Sequence, residues 1–257
     1  MPADPPDSAD ALAAIAVELA EEAGALLHDG QDRVREVVET KSTGTDMVTE
    51  MDRASERLIV DGILRRRPDD GVLGEEGADR TGTSGVRWVI DPLDGTTNYL
   101  YGFPSYAVAI AAEVEGASVA ASVRDVVHGD TFSAVRGRGS WCNGRRLQVT
   151  GPPTLATALV GTGFAYDPAR RALQADVLRD VVPYVRDIRR AGAAALDVCW
   201  VAAGRLDAFF EQGLAPWDWA ASSLVASEAG ARAEVLDGGI HVAAPRHLFD
   251  GLVALIG

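Results

Sequence analysis

The densest chemistry in the chain lies in one stretch, Trp88-Val89-Ile90-Asp91-Pro92-Leu93-Asp94-Gly95-Thr96-Thr97-Asn98. Aromatic and β-branched residues at Trp88-Val89-Ile90 suit a short buried strand. Pro92 has no backbone N–H to give, so the strand is expected to stop there. Asp91 and Asp94 stand at its end, and Gly95-Thr96-Thr97 then offers open amides and hydroxyls, as a helix start that holds an anion does. Two carboxylates repel the anion such a cradle invites. A cation is therefore expected between them.

Further acids stand at similar places: Glu75 after Val72-Leu73-Gly74, Glu211 at the end of an apolar run, Asp218 just after Pro216, and Asp52. Each alone has a plain structural reading. Asp218 could complement a helix dipole, Asp52 could complete a capping box begun by Thr49, and Glu75 and Glu76 could be solvated turn residues. Together they say more, because strand ends in α/β proteins gather at one edge of the sheet. Two unit charges about 4 Å apart repel by roughly 4 kcal/mol at an effective dielectric of about 20. Three or four such groups in one crevice call for cations among them, and hard oxygen ligands suit Mg²⁺ or Mn²⁺ rather than zinc. With open amides beside them, the expected ligand is a phosphate bridged by two metals.

The elements that must position these residues can be read from pattern. A first helix is expected from Ser8, its N-cap, to about His28, with Leu12, Ile15, Leu19 and Leu26 on one stripe. Lys41 to Thr45 reads as a polar loop, and a second helix from near Thr49 to the Arg65-Arg66-Arg67-Pro68 stop. Val72-Leu73 is a short strand and Asp79 to Gly85 a loop. From Tyr106 to Trp141 the texture is an antiparallel meander with turns at Glu115-Gly116 and His128-Gly129. After Pro152-Pro153 it becomes α/β: a strand over Ala158 to Thr162, a helix from about Ala169 to Arg190 kinked at Pro183, a small-residue helix from about Gly192 to Ala203, a strand Leu206 to Glu211, and a helix from Pro216 to Gly230. Gly161-Thr162-Gly163 lacks the third glycine of a dinucleotide site and reads as a turn near the substrate. His28, His128, His241 and His247 show no ligand spacing and suit surface or helix-end positions. The 1–257 chain reads as one domain with an α+β half over 9–150 and an α/β half over 151–257.

Composition bounds the function class. The chain carries 24 basic and 38 acidic residues, a net charge of −14, which argues against direct nucleic-acid binding. Apolar runs such as Tyr106 to Ala112 are broken by Glu113 well short of a membrane span. Two cysteines, Cys142 and Cys199, suggest neither a disulfide framework nor a zinc site. No basic-then-apolar leader is apparent, and a cytoplasmic location is expected. Lys41 is the one lysine in an arginine-rich chain, a hint that a compact ammonium is wanted there.

Asp91-Pro92-Leu93-Asp94-Gly95-Thr96-Thr97-Asn98, with Gly74-Glu75-Glu76 upstream and Pro216-Trp217-Asp218-Trp219-Ala220-Ala221 downstream, resembles the inositol monophosphatase family. Lys41-Ser42, Asp46 to Asp52, Gly137 to Gly144 and Arg190 to Asp197 match the family's remaining segments in order, from about Ala11 to Val242. The resemblance implies a mixed α/β, layered αβαβα sandwich and Mg²⁺-dependent hydrolysis of a phosphate monoester, with inositol 1-phosphate preferred. It implies that Glu75, Asp91 and the Leu93 carbonyl bind a first Mg²⁺. Asp91, Asp94 and Asp218 would bind a second, and a looser third would rest on Glu75. Thr96, hydrogen-bonded to Asp52 and assisted by Glu75, would activate water. The Gly95 and Thr96 amides would hold phosphate, and Asp94, Ala194 and Glu211 would contact the polyol. Lys41 falls where the family places a lysine near the active-site loop. Lithium inhibition and a homodimer are implied too. Fructose 1,6-bisphosphate, histidinol phosphate and 3′-phosphoadenosine 5′-phosphate stay open as substrates, and a regulatory role through binding partners stays open as a different class.

Overall fold

The computed structural model describes residues 8–39 and 44–257, by backbone alone at 32–39 and 44–49. Two helices come first, α1 (Ala9–Glu39) and α2 (Gly44–Arg66). Then follow β1 (Gly71–Gly74), β2 (Asp79–Arg80), β3 (Val86–Asp94), α3 (Thr96–Tyr101), β4 (Ala107–Val114), β5 (Ala117–Asp125), β6 (Thr131–Val135), β7 (Gly139–Cys142) and β8 (Arg145–Arg146). The remainder is β9 (Leu159–Thr162), α4 (Pro168–Val181), β10 (Asp187–Arg189), α5 (Ala194–Ala203), β11 (Ala208–Gln212), α6 (Pro216–Glu228), β12 (Ala231–Leu236), β13 (Ile240–Pro245) and α7 (Arg246–Ile256). The strands form an eight-stranded sheet, β2-β1-β3-β4-β5-β6-β7-β8, and a five-stranded sheet, β10-β9-β11-β13-β12.

Helices α1 and α2 cover one face of the large sheet, and α5 and α6 lie between its other face and the small sheet. Helices α4 and α7 cover the small sheet's outer face. The layers thus run αβαβα, as expected. The sequence of β4 shows how one strand serves two layers. Val108, Ile110 and Ala112 join the core under α1, whereas Ala107, Ala109 and Ala111 face α5 and α6. Alternation along the strand sends successive side chains to opposite faces, and the alanine face lets the central helices come close. Helix α5 is buried nearly all round, from Ala195 to Ala202, as a helix caught between two sheets must be.

Several boundaries differ from the sequence reading. Ser8 does cap α1, its hydroxyl accepting from the Ala11 amide at 3.1 Å. The helix nevertheless runs past His28 to Glu39. Gly30 sits inside it as a contact point, since a Cβ there would lie 2.3 Å from the Met51 methyl of α2. Helix α2 starts at Gly44, so Asp52 is mid-helix rather than at its start; of the loop expected over Lys41 to Thr45, residues 44–45 are helical and 41–43 lie outside the described residues. Pro92 does not end its strand: β3 continues to Asp94 through a bulge, pairing Asp91 with Ala109 and Asp94 with Ala107. The proline falls in the irregular step, where no ladder amide is needed. Residues 79–80 pair with β1 instead of remaining loop. The helix expected to reach Arg190 ends at Val181, and Pro183 releases a parallel edge strand, β10, beside β9. Residues 161–162 belong to β9 itself, and β12, β13 and α7 follow Gly230, where the sequence pattern marks no element. His241 is buried in β13, edge-to-face with Trp219 at 4.9 Å, rather than at the surface.

Candidate active site

Strand β3 delivers Asp91 and Asp94 through its bulge, and both are buried. Asp91 is the hub. One of its oxygens accepts the Leu93 amide at 3.1 Å, and the carboxyls of Glu75, Asp94 and Asp218 act on it by charge. Asp94 accepts from the Ala194 and Ala195 amides at 3.2 and 2.7 Å, which ties the end of β3 to the start of α5. Asp218 accepts from the Ala215 amide at 2.7 Å, so it does close the first turn of α6. That same placement brings it to the cluster: ligand atoms of Asp91, Asp94 and Asp218 lie within 4.8 Å of one another. A single side chain thus caps α6 and stands in the acid cluster.

Burial and mutual repulsion hold this group toward the neutral form. Loss of solvation, then the charges of Glu75, Asp94 and Asp218, push Asp91 well above the ordinary carboxylate range. Asp94 is raised likewise by burial and Asp218, against the pull of the Ala195 amide. Glu75 opens to the cleft, yet the walls crowd it; lost solvation and Asp218 push it up to about 7, with its hydrogen bond to Asp91 opposing. These are carboxylate oxygens gathered at the cost of their own charge, a set that fits a hard divalent cation. Leu93 lines the same cleft, and among the described residues no histidine or thiol joins the group.

Gly95 opens α3 with φ 88°, and a Cβ there would lie 2.8 Å from the Ser105 carbonyl, so only glycine permits this approach. Its helix start has no side-chain cap. The Thr96 hydroxyl donates to the Leu93 carbonyl at 3.1 Å. The hydrogen bond to Asp52 that the resemblance implies is not formed in this structure. A threonine in the first turn finds the carbonyl three residues back nearer at hand, and one Asp52 oxygen stays buried with no partner. Burial and the charges of Glu76 and Glu75 push Asp52 up to about 8. Glu76 faces Arg53 at 3.7 Å.

The cleft over these acids has a volume of about 260 Å³ and is closed on its far side by Gly163, Tyr166, Arg190 and Glu211. Glu211 leans on Gly163, where a Cβ would lie 2.0 Å from its carboxylate, so this glycine serves as a seat for the acid. Burial and Asp218 push Glu211 up to about 7, and Arg190 pulls the other way. Ala194 lines the cleft while its amide is engaged by Asp94. Lys41 lies outside the described residues.

Two lining residues carry no role in the sequence reading, although Arg190 opens one of the matching segments. Among the described residues Arg190 is the one basic residue on the cleft wall, and it has no hydrogen bond or ion pair there. Tyr166 stands 80% exposed, its phenol 3.3 Å from the Thr97 hydroxyl. Asp197, quoted only as part of a matching segment, is buried among Asp94, Glu211 and Arg190 with one oxygen unpartnered. Nothing local in the sequence marks Arg190 as part of this wall; only the fold sets its charge near Glu211 and Asp197.

Comparison with known proteins agrees with this geometry. The family model described as "Inositol monophosphatase family" matches residues 8–255. A relative from Mycobacterium tuberculosis, named inositol-1-monophosphatase SuhB, is 50% identical over 213 residues, 79% of this chain and 72% of its own. Another, from Pseudomonas aeruginosa and named Nus factor SuhB, is 44% identical over 226 residues, 84% of this chain and 82% of its own. The solved structure of Mycobacterium tuberculosis SuhB superposes with a TM-score of 0.87 at 43% identity, covering 97% of each chain. The layered sandwich, the carboxylate cluster at the open start of α3 and these matches together place the chain in the inositol monophosphatase family.

Proposed function

We propose that the protein hydrolyses a small phosphate monoester, preferably inositol 1-phosphate, releasing myo-inositol and phosphate. The observation that carries this is the convergence of Glu75, Asp91, Asp94 and Asp218, from three separate elements, at the uncapped start of α3. Glu75, Asp91, the Leu93 carbonyl, Asp94 and Asp218 would hold two to three Mg²⁺ ions, with Mn²⁺ as a substitute. When bound, such ions lower the pKa of water and offset charge on the phosphoryl and leaving oxygens.

The protein's own groups supply the rest. The Gly95 and Thr96 amides receive phosphate oxygens, as open helix-start amides do. Thr96 orients the attacking water with its hydroxyl, and Glu75, open to the cleft, takes the water's proton. Asp52 sits behind as a buried acid whose spare oxygen can accept from Thr96 once that hydroxyl turns from Leu93. Asp94, Ala194 and Glu211 meet the alcohol, with Glu211 accepting from its hydroxyls. Lys41 would contribute to phosphate binding.

We further read residues 1–257 as one working unit, since α5 and α6 are shared between the two sheets, acting as a cytoplasmic homodimer. Among the described residues no helix is long and apolar enough to cross a membrane. A second reading, action through a transcription partner, is favoured by one fact: the 44% identical relative is named a Nus factor.

Phosphate release from inositol 1-phosphate, fructose 1,6-bisphosphate, histidinol phosphate and 3′-phosphoadenosine 5′-phosphate, with and without Mg²⁺, tests both. Metal-dependent preference for inositol 1-phosphate is expected. Preference for another ester overturns the substrate, and no turnover on any of them moves the partner-binding reading to first place.

A further inference from the structure

Glu75 sits on the turn Gly74-Glu75-Glu76-Gly77-Ala78 that joins β1 to β2, and a turn is a loose mount for a ligating side chain. Here the mount is tied down. The Gly74 amide donates to the Ala78 carbonyl, and the Glu75 amide donates to the Ile90 carbonyl at 3.3 Å, next to Asp91 on β3. The Glu76 and Ala78 amides both donate to one side chain, Glu56 of α2: Glu76 to Oε2 at 3.0 Å and Ala78 to Oε1 at 3.1 Å. The two peptides flanking the Glu75 Cα are thus fixed on opposite sides, one to β3 and one to α2.

Glu56 is buried, at 7% exposure, where a carboxylate is costly unless its oxygens are satisfied. It lies four residues after Asp52, on the same face of α2. The turn is shaped around it: a Cβ on Gly74 would lie 2.1 Å from Glu56 Oε2. Sealing a hairpin does not by itself call for a buried carboxylate under the residue that faces Asp91.

We propose that Glu56 is a positioning residue for the metal centre, holding the turn so that Glu75 faces Asp91, and thereby setting the affinity for the divalent cation. This rests on the metal reading of the acid cluster given above. Glutamine at position 56 keeps the volume and one acceptor, but its amide nitrogen would face an N–H donor, so one of the two bonds is lost.

The test is a calorimetric Mg²⁺ titration of the full chain, wild type and Glu56→Gln, with the metal-free melting temperature of each. Wild-type binding, about tenfold weaker in the variant with the metal-free melting temperature little changed, supports the proposal. Affinity within twofold of wild type overturns it and leaves Glu56 a hairpin seal. Failure of the wild type to bind Mg²⁺ overturns the metal reading first, and the proposal with it. Should the variant not fold, amide hydrogen exchange of the wild type decides: Glu76 and Ala78 amides are expected to be protected, and more so with Mg²⁺. Exchange at open-turn rates, or no response to Mg²⁺, overturns the proposal.

Discussion

On the β3 side of the cleft the acids are held by the main chain: Asp91 by the Leu93 amide, Asp94 by the amides of Ala194 and Ala195, and Asp218 by the amide of Ala215. On the β11 side Glu211 rests against Gly163, Arg190 has no hydrogen bond or ion pair among the described residues, and Tyr166 stands in solvent. A reaction that develops charge at one fixed place is served by groups whose positions are settled in advance. Alcohols of different shape are better met by groups that can turn. Under the proposed phosphatase reading, the β3 wall would serve the phosphoryl centre and the β11 wall the leaving group.

That division can be broken most sharply at Asp94. Asp94→Asn keeps one acceptor for the start of α5 but removes the charge. Turnover is expected to fall at least about a thousandfold on every ester, because charge stabilisation of this kind is worth several kcal/mol and about 1.4 kcal/mol is tenfold. Circular dichroism should show the fold retained. Activity within tenfold of wild type would remove the β3 wall from the chemistry.

The opposite wall should discriminate rather than catalyse. Glu211→Gln is expected to raise KM for inositol 1-phosphate about tenfold, the worth of one charge-assisted hydrogen bond, and to leave p-nitrophenyl phosphate, which has no polyol, nearly unaffected. A matching loss on both esters would erase the distinction between the walls.

The pH dependence of stability tests the crowding of acids. Asp52 is pushed up to about 8, and Glu75 and Glu211 to about 7. Each binds its proton more tightly in the folded chain than in the unfolded one, where ordinary values of about 4 apply. Their contribution to the metal-free fold is therefore fully present below about pH 4 and lost as the pH rises through 7 to 8. A divalent cation competes with those protons, so the rise in melting temperature on adding Mg²⁺ should be small near about pH 5 and reach on the order of 5 °C near pH 8.5. Scanning calorimetry with and without Mg²⁺ reads this directly, and a gap that shrinks with pH would contradict it.

The smallest effect is expected from Arg190→Met: about a threefold rise in KM for inositol 1-phosphate, since an exposed guanidinium is largely screened by water. A loss larger than that of Glu211→Gln would make the arginine the principal contact on its wall.

Legibility in the sequence follows the same divide. Asp91, Asp94, Gly95 and Thr96 lie within one strand–turn–helix step, so their types and spacing are visible together. The meander showed itself by alternation and by turns such as Glu115-Gly116, where both residues have positive φ. Residues that act across long separations were harder to see. Glu56 looks like any polar position on an amphipathic helix until the turn at 74–78 folds onto it. Arg190 sits in a segment that reads as the tail of a helix, because nothing local announces that Pro183 will free an edge strand. Gly30 has the look of a helix end and proves to be the point where Met51 packs.

By itself the sequence determined the local grammar. A buried strand ends in two carboxylates and a glycine that only a left-handed turn requires, small residues mark a helix caught between layers, and acids stand at places where chains end or turn. Backbone sterics and side-chain periodicity act over a few residues and leave their mark in order. The tertiary structure decided which acids meet, that Asp94 spends its oxygens on amides 100 and 101 residues away, that Thr96 turns to Leu93, and that Glu56 holds the turn beneath Glu75. Those outcomes depend on how two sheets pack around α5 and α6, because burial and charge repulsion are settled only when distant groups share one low-dielectric crevice.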